Sequence, residues 1–251
     1  MIIGSPRIQL TEIDSTNNYA AQLVKENLVN EGTAVIAEFQ TQGKGRRGNE
    51  WNSEKGDNIL CTVILKPKFL HANEQFLLSM AMILALKTAV ETHLINTKVS
   101  IKWPNDLIVG NKKIAGLLIE NTLSGSQIVS SLVGFGINVN QTRFSVTHSI
   151  FQPVSLVQLG IENITKVEVL EKCFEKLQQY YFKLMNLKFA ELEVEYHQSL
   201  LFMNETCEFF YQNEKLKAIF KGVKRNGFAK IETEQGIVEA NMDELRFISP
   251  V

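Results

Sequence analysis

Lys102-Trp103-Pro104-Asn105-Asp106-Leu107, followed after a short turn by Lys112-Lys113-Ile114-Ala115-Gly116, places a Trp, an amide, a carboxylate and lysines at a break between two apolar runs. Pro104 ends one strand, because it has no N–H to donate and restricts the residue before it. Gly110-Asn111 then offers a two-residue reversal that sends residues 114–120 back along 107–109. The segment predicts a rigid corner presenting Asp106 and Lys113 to a common space. A carboxylate for a metal or an amine, beside a lysine for developing phosphate charge, suits nucleotide chemistry. An ordinary hairpin with two solvated lysines explains the same residues, so the neighbouring segments must decide.

Working outward, residues 99–103, 107–109, 114–120 and 128–139 read as successive strands with hairpin-length connections. Residues 33–39 and 59–65 add two more. Ser15-Thr16-Asn17 before Ala20, Ala21, Leu23, Val24 and Leu28 predicts a helix with an N-cap at its start. Residues 73–93 form a long apolar helix suited to packing on a sheet. From Thr165 the period becomes helical, with Val167, Leu170, Phe174, Leu177, Tyr181 and Leu184 on one stripe. A second helical segment covers 189–201. After Asn204 come five short strands, 207–211, 216–223, 228–232, 236–240 and 245–248, with turns at Gln212-Asn213, Arg225-Asn226-Gly227 and Glu234-Gln235-Gly236. That spacing predicts a small antiparallel barrel, dividing the chain into 1–202 and 203–251.

With 251 residues the chain has room for an ample core. Its 26 basic and 27 acidic residues leave a formal charge of -1, so no global field draws it to nucleic acid or anionic lipid. Cys61, Cys173 and Cys207 lie far apart among apolar residues, without metal-ligand spacing, which predicts buried reduced thiols. The first ten residues lack an apolar signal core. The longest apolar stretch, 76–86, is too short to span a bilayer. The expected compartment is the cytoplasm, with no membrane partner.

Gly43-Lys44-Gly45-Arg46-Arg47-Gly48 packs three glycines and three cations into six residues. Glycines permit close backbone approach, and the cations can neutralise a phosphate or carboxylate. The spacing is neither a P-loop nor a dinucleotide fingerprint. A mobile basic surface loop accounts for the composition equally, and its mutual repulsion predicts a loop that stays loose until an anion binds. Ser15, Thr16 and Asn17 read as a helix cap or as a polar ligand site at a helix start. Trp51 reads as core or as an adenine platform, and Asn138 as a strand-end turn residue or a phosphate contact.

Taken in order, Ser15-Thr16-Asn17, Gln40-Thr41-Gln42-Gly43-Lys44-Gly45-Arg46-Arg47-Gly48, Trp51, the 102–107 corner, Lys113-Ile114-Ala115-Gly116 and Gly134-Phe135-Gly136-Ile137-Asn138 resemble biotin–protein ligase. The resemblance covers residues 10–140 by motif. It implies an α+β fold, a mixed β-sheet flanked by helices and related to class II aminoacyl-tRNA synthetases, with a small C-terminal SH3-like β-barrel. It implies ATP and biotin as substrates with Mg²⁺, biotinyl-AMP as intermediate, and a lysine of a biotin carboxyl carrier domain as acceptor.

By the same resemblance Ser15, Thr16, Asn17 and Gln40 line the ureido end of a biotin pocket. Lys44, Gly45 and Arg46, with Arg47, close over the valeryl chain and phosphate. Lys113, with Gly116 nearby, sits at the reacting carboxylate, and Trp51 and Asn138 on the nucleotide side. Asn105 and Asp106 face the incoming amine or the metal, with Asp106 as metal ligand. Lys113, Arg46 and Asp106 are the expected catalytic residues. Lys44 stands where the family often has Arg, keeping charge but losing the bidentate fork. Arg246 is the nearest match to a functional C-terminal Arg, but its spacing does not align. Only 14 residues precede Ser15, so no DNA-binding domain and no repressor activity are expected. A lipoate or octanoate ligase, a non-catalytic binding module and an interaction protein are the alternatives. Strand 128–133 could be an exposed edge that pairs in a homodimer, or one covered by the chain itself.

Overall fold

A seven-strand ladder carries the cleft described below. The computed structural model describes residues 1–145, 150–212 and 214–250. Its strands are β1 (Arg7–Leu10), β2 (Ala34–Ala37), β3 (Ile59–Leu65), β4 (Val99–Lys102), β5 (Asp106–Val109), β6 (Lys112–Ser124) and β7 (Gln127–Ile137), in the order β1-β2-β3-β7-β6-β5-β4. β1 and β2 are parallel and the rest of the ladder is antiparallel. The short β8 (Gln152–Pro153) adds in parallel to the start of β6. Gly110 at φ +60 opens the reversal between β5 and β6, as a tight hairpin turn demands. The Trp103–Pro104 peptide is cis.

Among the described residues four α-helices accompany these strands: α1 (Thr16–Lys25), α2 (Phe76–Glu91), α3 (Lys166–Met185) and α4 (Phe189–Ser199). β3 is buried on both faces, and its alternate residues serve different layers. Ile59, Cys61, Val63 and Leu65 join the core that α2 fills, whereas Ile64 packs with Ala20 and Leu23 of α1. α2 is apolar all round because it lies between the sheet and the α3–α4 pair. A capping box starts α3: Glu168 N–H donates to the Thr165 hydroxyl, and Thr165 N–H to the Glu168 carboxylate. Val167, expected on the buried stripe, is exposed, and Val169, Cys173 and Tyr180 complete that stripe instead. Val167 sits in the first turn, before the helix reaches α2.

Residues 128–133 are not a sheet edge. β7 lies between β3 and β6, and β6 pairs along almost its whole length, so the pairing surface suggested for a dimer is used within the chain. The C-terminal strands β9 (Thr206–Tyr211), β10 (Glu214–Val223), β11 (Ala229–Thr233), β12 (Gly236–Ala240) and β13 (Leu245–Pro250) make one antiparallel sheet in the order β12-β11-β10-β9-β13. Asn213, in the turn expected before β10, lies outside the described residues. This second sheet meets the first unit through Phe202 stacked on Phe247, with ring centroids 4.9 Å apart. Arg225 also reaches Glu193 on α4, at 2.9 and 2.8 Å. Among the described residues no helix is long and apolar enough to cross a membrane.

Candidate functional site

The floor of the cleft follows from strand register. Leu60 and Thr62 of β3 face Gly136 and Gly134 of β7, which face Gly116 and Leu118 of β6, all on the α1 side of the sheet. Three glycines at these positions leave a trough that side chains from α1 and the 43–51 loop enter. A Cβ on Gly134 would stand 2.2 Å from Asn17 Oδ1, and one on Gly136 2.4 Å from the Trp51 ring.

One end of the trough is formed by buried neutral side chains, with the exposed Glu120 at its margin. Ser15 occupies the N-cap position of α1, but its hydroxyl makes no capping bond. Gln40 takes that role: its Oε1 accepts from Thr16 N–H at 2.7 Å and lies 3.0 Å from the Thr16 hydroxyl. Thr62 Oγ1 is 2.8 Å from Thr16 Oγ1 and 2.6 Å from Asn17 Oδ1, and Asn17 Nδ2 donates to Glu120 at 2.6 Å. A carboxylate only accepts, so Glu120 fixes which way the Asn17 amide points. With Thr16 Oγ1 donating to Gln40 and Thr62 Oγ1 donating to Asn17, both amide oxygens in the row have a donor. This end therefore presents a row of neutral hydrogen-bonding groups to the cleft, with the buried Ser15 hydroxyl free of a capping bond beside it.

The glycine–arginine loop closes on itself. Trp51 N–H donates to Gly43 O at 2.8 Å and Gly45 N–H to Asn49 O at 2.7 Å. A Cβ on Gly43 would lie 2.3 Å from Trp51 O, so that closure requires glycine. The loop is thus held at its base rather than loose, despite its three cations. Lys44 reaches Glu120 at 4.0 Å, linking the loop to the buried end. Trp51 lies against Gly116 and Gly136, with Lys113 Nζ 5.4 Å from its ring centroid. Its Nε1 lies against Gly136, buried without a hydrogen-bond partner.

The other end is ionic. Asp106, at the start of β5, receives Lys113 Nζ at 2.7 Å and Lys102 Nζ at 3.8 Å. Burial lowers the Lys102 pKa from its ordinary value, and Lys113 and Arg46 add to the effect. Arg46 is likewise lowered, by burial first and then by Arg47. Two half-buried cations held below their usual affinity for protons gain from an arriving anion. Asn105 borders the cleft, yet its amide donates to Leu117 O at 2.8 Å, anchoring the corner to β6. The donor set does not fit a resident Mg²⁺. Among the described residues no cluster of three metal-ligating side chains exists, and the one carboxylate here is already matched by two lysines.

The cleft thus unites Ser15, Thr16, Asn17, Gln40, Lys44, Gly45, Arg46, Trp51, Asn105, Asp106, Lys113 and Gly116. It leaves out Arg47, which turns to Asp243, and Asn138, whose amide donates to Val154 O at 3.1 Å and is buried. Arg246 lies over the Phe210 ring, 5.0 Å from its centroid. Sequence reasoning missed Thr62 and Glu120. The signals were a lone hydroxyl within an apolar run and a charge two residues past Leu118 on the glycine face. The open space is ≈ 130 Å³, below the roughly 300–1,000 Å³ of small-molecule sites.

Residues 10–138, which contain the whole cleft, match the biotin/lipoate A/B protein ligase family. A biotin protein ligase from Aquifex aeolicus, solved with biotin and ATP, superposes with a TM-score of 0.79 at 30% identity, covering 98% of this chain and 99% of that one. The bifunctional ligase/repressor BirA of Bacillus spizizenii is 29% identical over 94% of this chain and 72% of its own length. The biotin–[acetyl-CoA-carboxylase] ligase of Paracoccus denitrificans is 34% identical over 52% of this chain and 53% of its own. With a match over half its length and a solved relative alike from end to end, the chain belongs to the biotin/lipoate A/B protein ligase family.

Proposed function

We propose that this ligase activates biotin with ATP and transfers it to a lysine of a biotin carboxyl carrier domain. The observation that carries the choice of biotin is the row of neutral hydrogen-bonding side chains, Ser15, Thr16, Asn17 and Gln40, that lines one end of the cleft. A ureido ring brings two N–H donors and one carbonyl. The dithiolane of lipoate brings none, and would set an apolar ring against that polar row. In the first step a biotin carboxylate oxygen attacks the α-phosphorus of ATP, and pyrophosphate leaves. Lys44, Arg46 and Lys113 offset the repulsion between the two anions. In the second step the carrier amine attacks the acyl carbonyl, forming the amide and expelling AMP. Asp106 faces that amine, kept in place by Lys102 and Lys113.

Magnesium enters with the nucleotide as part of the substrate. Residues 1–202 carry the catalysis and 203–251 form the small β domain. The balanced charge of -1 supports the absence of operator binding, which a gel-shift assay checks. Three buried free thiols support a reducing compartment such as the cytoplasm. The deciding experiment mixes the protein with ATP, Mg²⁺ and either biotin or lipoate plus the matching carrier. A carrier mass shift with biotin alone is expected; a shift with lipoate alone overturns the assignment.

A further inference from the structure

The loop that carries Lys44 and Arg46 is tethered from outside the cleft. Arg47, at its tip, has φ +56, a left-handed conformation that a residue with a side chain adopts only when its surroundings hold it there. Its side chain points away from the cleft, and Nε donates to Asp243 Oδ1 at 3.1 Å. The neighbouring Arg46 guanidinium meets Met242 Sδ. Both partners belong to the turn between β12 and β13, 196 residues further along the chain.

That turn has its own scaffold. Asn241 Oδ1 accepts from the N–H groups of Asp243 and Glu244, at 2.8 and 3.0 Å, and Glu244 returns a bond to Asn241 N–H at 3.1 Å. The Asp243 carboxylate is therefore displayed on a preformed turn, aimed at the arginine whose charge would otherwise help force the loop open.

We propose that Asp243 is a positioning residue for this loop. Through Arg47 it holds Lys44 and Arg46 over the cleft, and so keeps the activated acyl group from escaping before the carrier arrives. This rests on reading the cleft as an acyl-adenylate site. Asp243 touches no substrate and contributes nothing to bond making. The side chains of Asp243 and Arg47 are 80% and 36% exposed. An exposed pair of this kind changes an equilibrium about two- to five-fold, not by orders of magnitude.

The test uses the full chain with biotin, ATP and Mg²⁺, and with serum albumin in place of the carrier. A wild-type protein that makes no adenylate, read as AMP formation in the presence of hydroxylamine, overturns the cleft reading and this proposal together. Where adenylate forms, Asp243→Asn should label albumin about two- to five-fold faster at low salt. Its pyrophosphate exchange at saturating substrates should be unchanged. The excess should vanish near 1 M salt, where the screening length is about 3 Å. Reversing the pair, with Arg47→Glu and Asp243→Arg together, should restore retention that Arg47→Glu alone loses. Wild-type retention in Asp243→Asn, or no recovery in the reversed pair, overturns the proposal while leaving the cleft reading intact.

Discussion

At the Thr16–Asn17 end of the cleft every group is neutral except Glu120, and Thr62 is wholly buried. At the Asp106–Lys113 end nearly every group is charged, and the Asp106 and Lys113 side chains are 16% and 29% exposed. The first end rests on three adjacent strands and a helix start, so its geometry is set when the sheet forms. The second rests on a loop and a corner held by ion pairs, so its geometry changes with the charge it meets. On the proposed function, recognition would fall to the part of the cleft built on the sheet, and charge-handling to the part built on a loop and a corner.

The largest effect should come from the ionic end. Lys113→Ala should cut biotin-dependent ATP–pyrophosphate exchange by about 10²–10³-fold, the usual cost of one preorganised donor at a developing charge. Near-normal exchange would show that this end does not carry the chemistry.

Gly134→Ala attacks the stiff end instead. Its Cβ must displace Asn17, which has no free space. Overpacking of about 1–3 kcal/mol predicts biotin binding weakened roughly five- to a hundred-fold by calorimetry. Unchanged affinity would mean that Asn17 is not part of the recognition end.

Thr62→Val is gentler, removing a single hydroxyl. A loss of about 0.5–1.5 kcal/mol should raise the biotin KM while leaving kcat at saturation near wild type. A fall in kcat with KM unchanged would blur the division between the two ends.

The smallest effect lies away from both. Arg225 hydrogen-bonds Glu193 and holds its carboxyl below the ordinary carboxylate range. A depressed acid gives stability that is present above its ordinary value and lost as pH falls through its folded value. Arg225→Gln should therefore cost at most about 1 kcal/mol near neutral pH. The gap in urea midpoints should close as pH falls below that range, with catalysis unaffected in either case.

Much of this was legible from residue order. The 59–65 and 128–139 runs, the buried helix around 76–91 and the 102–116 corner all announce themselves, because deep burial writes long apolar runs and tight turns write Gly and Pro. β1 did not, since Arg7–Leu10 is half exposed and carries only four residues of weak alternation. β8 is two residues long, below any periodic signal. In the cleft, residues that face it along one strand were recoverable from register, but partners chosen across the fold were not. Gln40 takes the Thr16 N–H from 24 positions away, in place of the expected Ser15 cap, and Arg47 leaves the cleft for Asp243. Asn138 shows the opposite error: a strand-end amide suited to a phosphate instead secures the chain before α3.

The Gln40 contact has one more consequence. The first amide of α1, at Thr16, ends on a side chain that also borders the ligand space. That single proton is a natural label for occupancy. When a ureido group settles against Gln40 and immobilises it, deuterium uptake at Thr16 should slow, with no fluorophore and no turnover. Exchange at one backbone position would then separate ligands that fill the neutral end from those that bind only through charge.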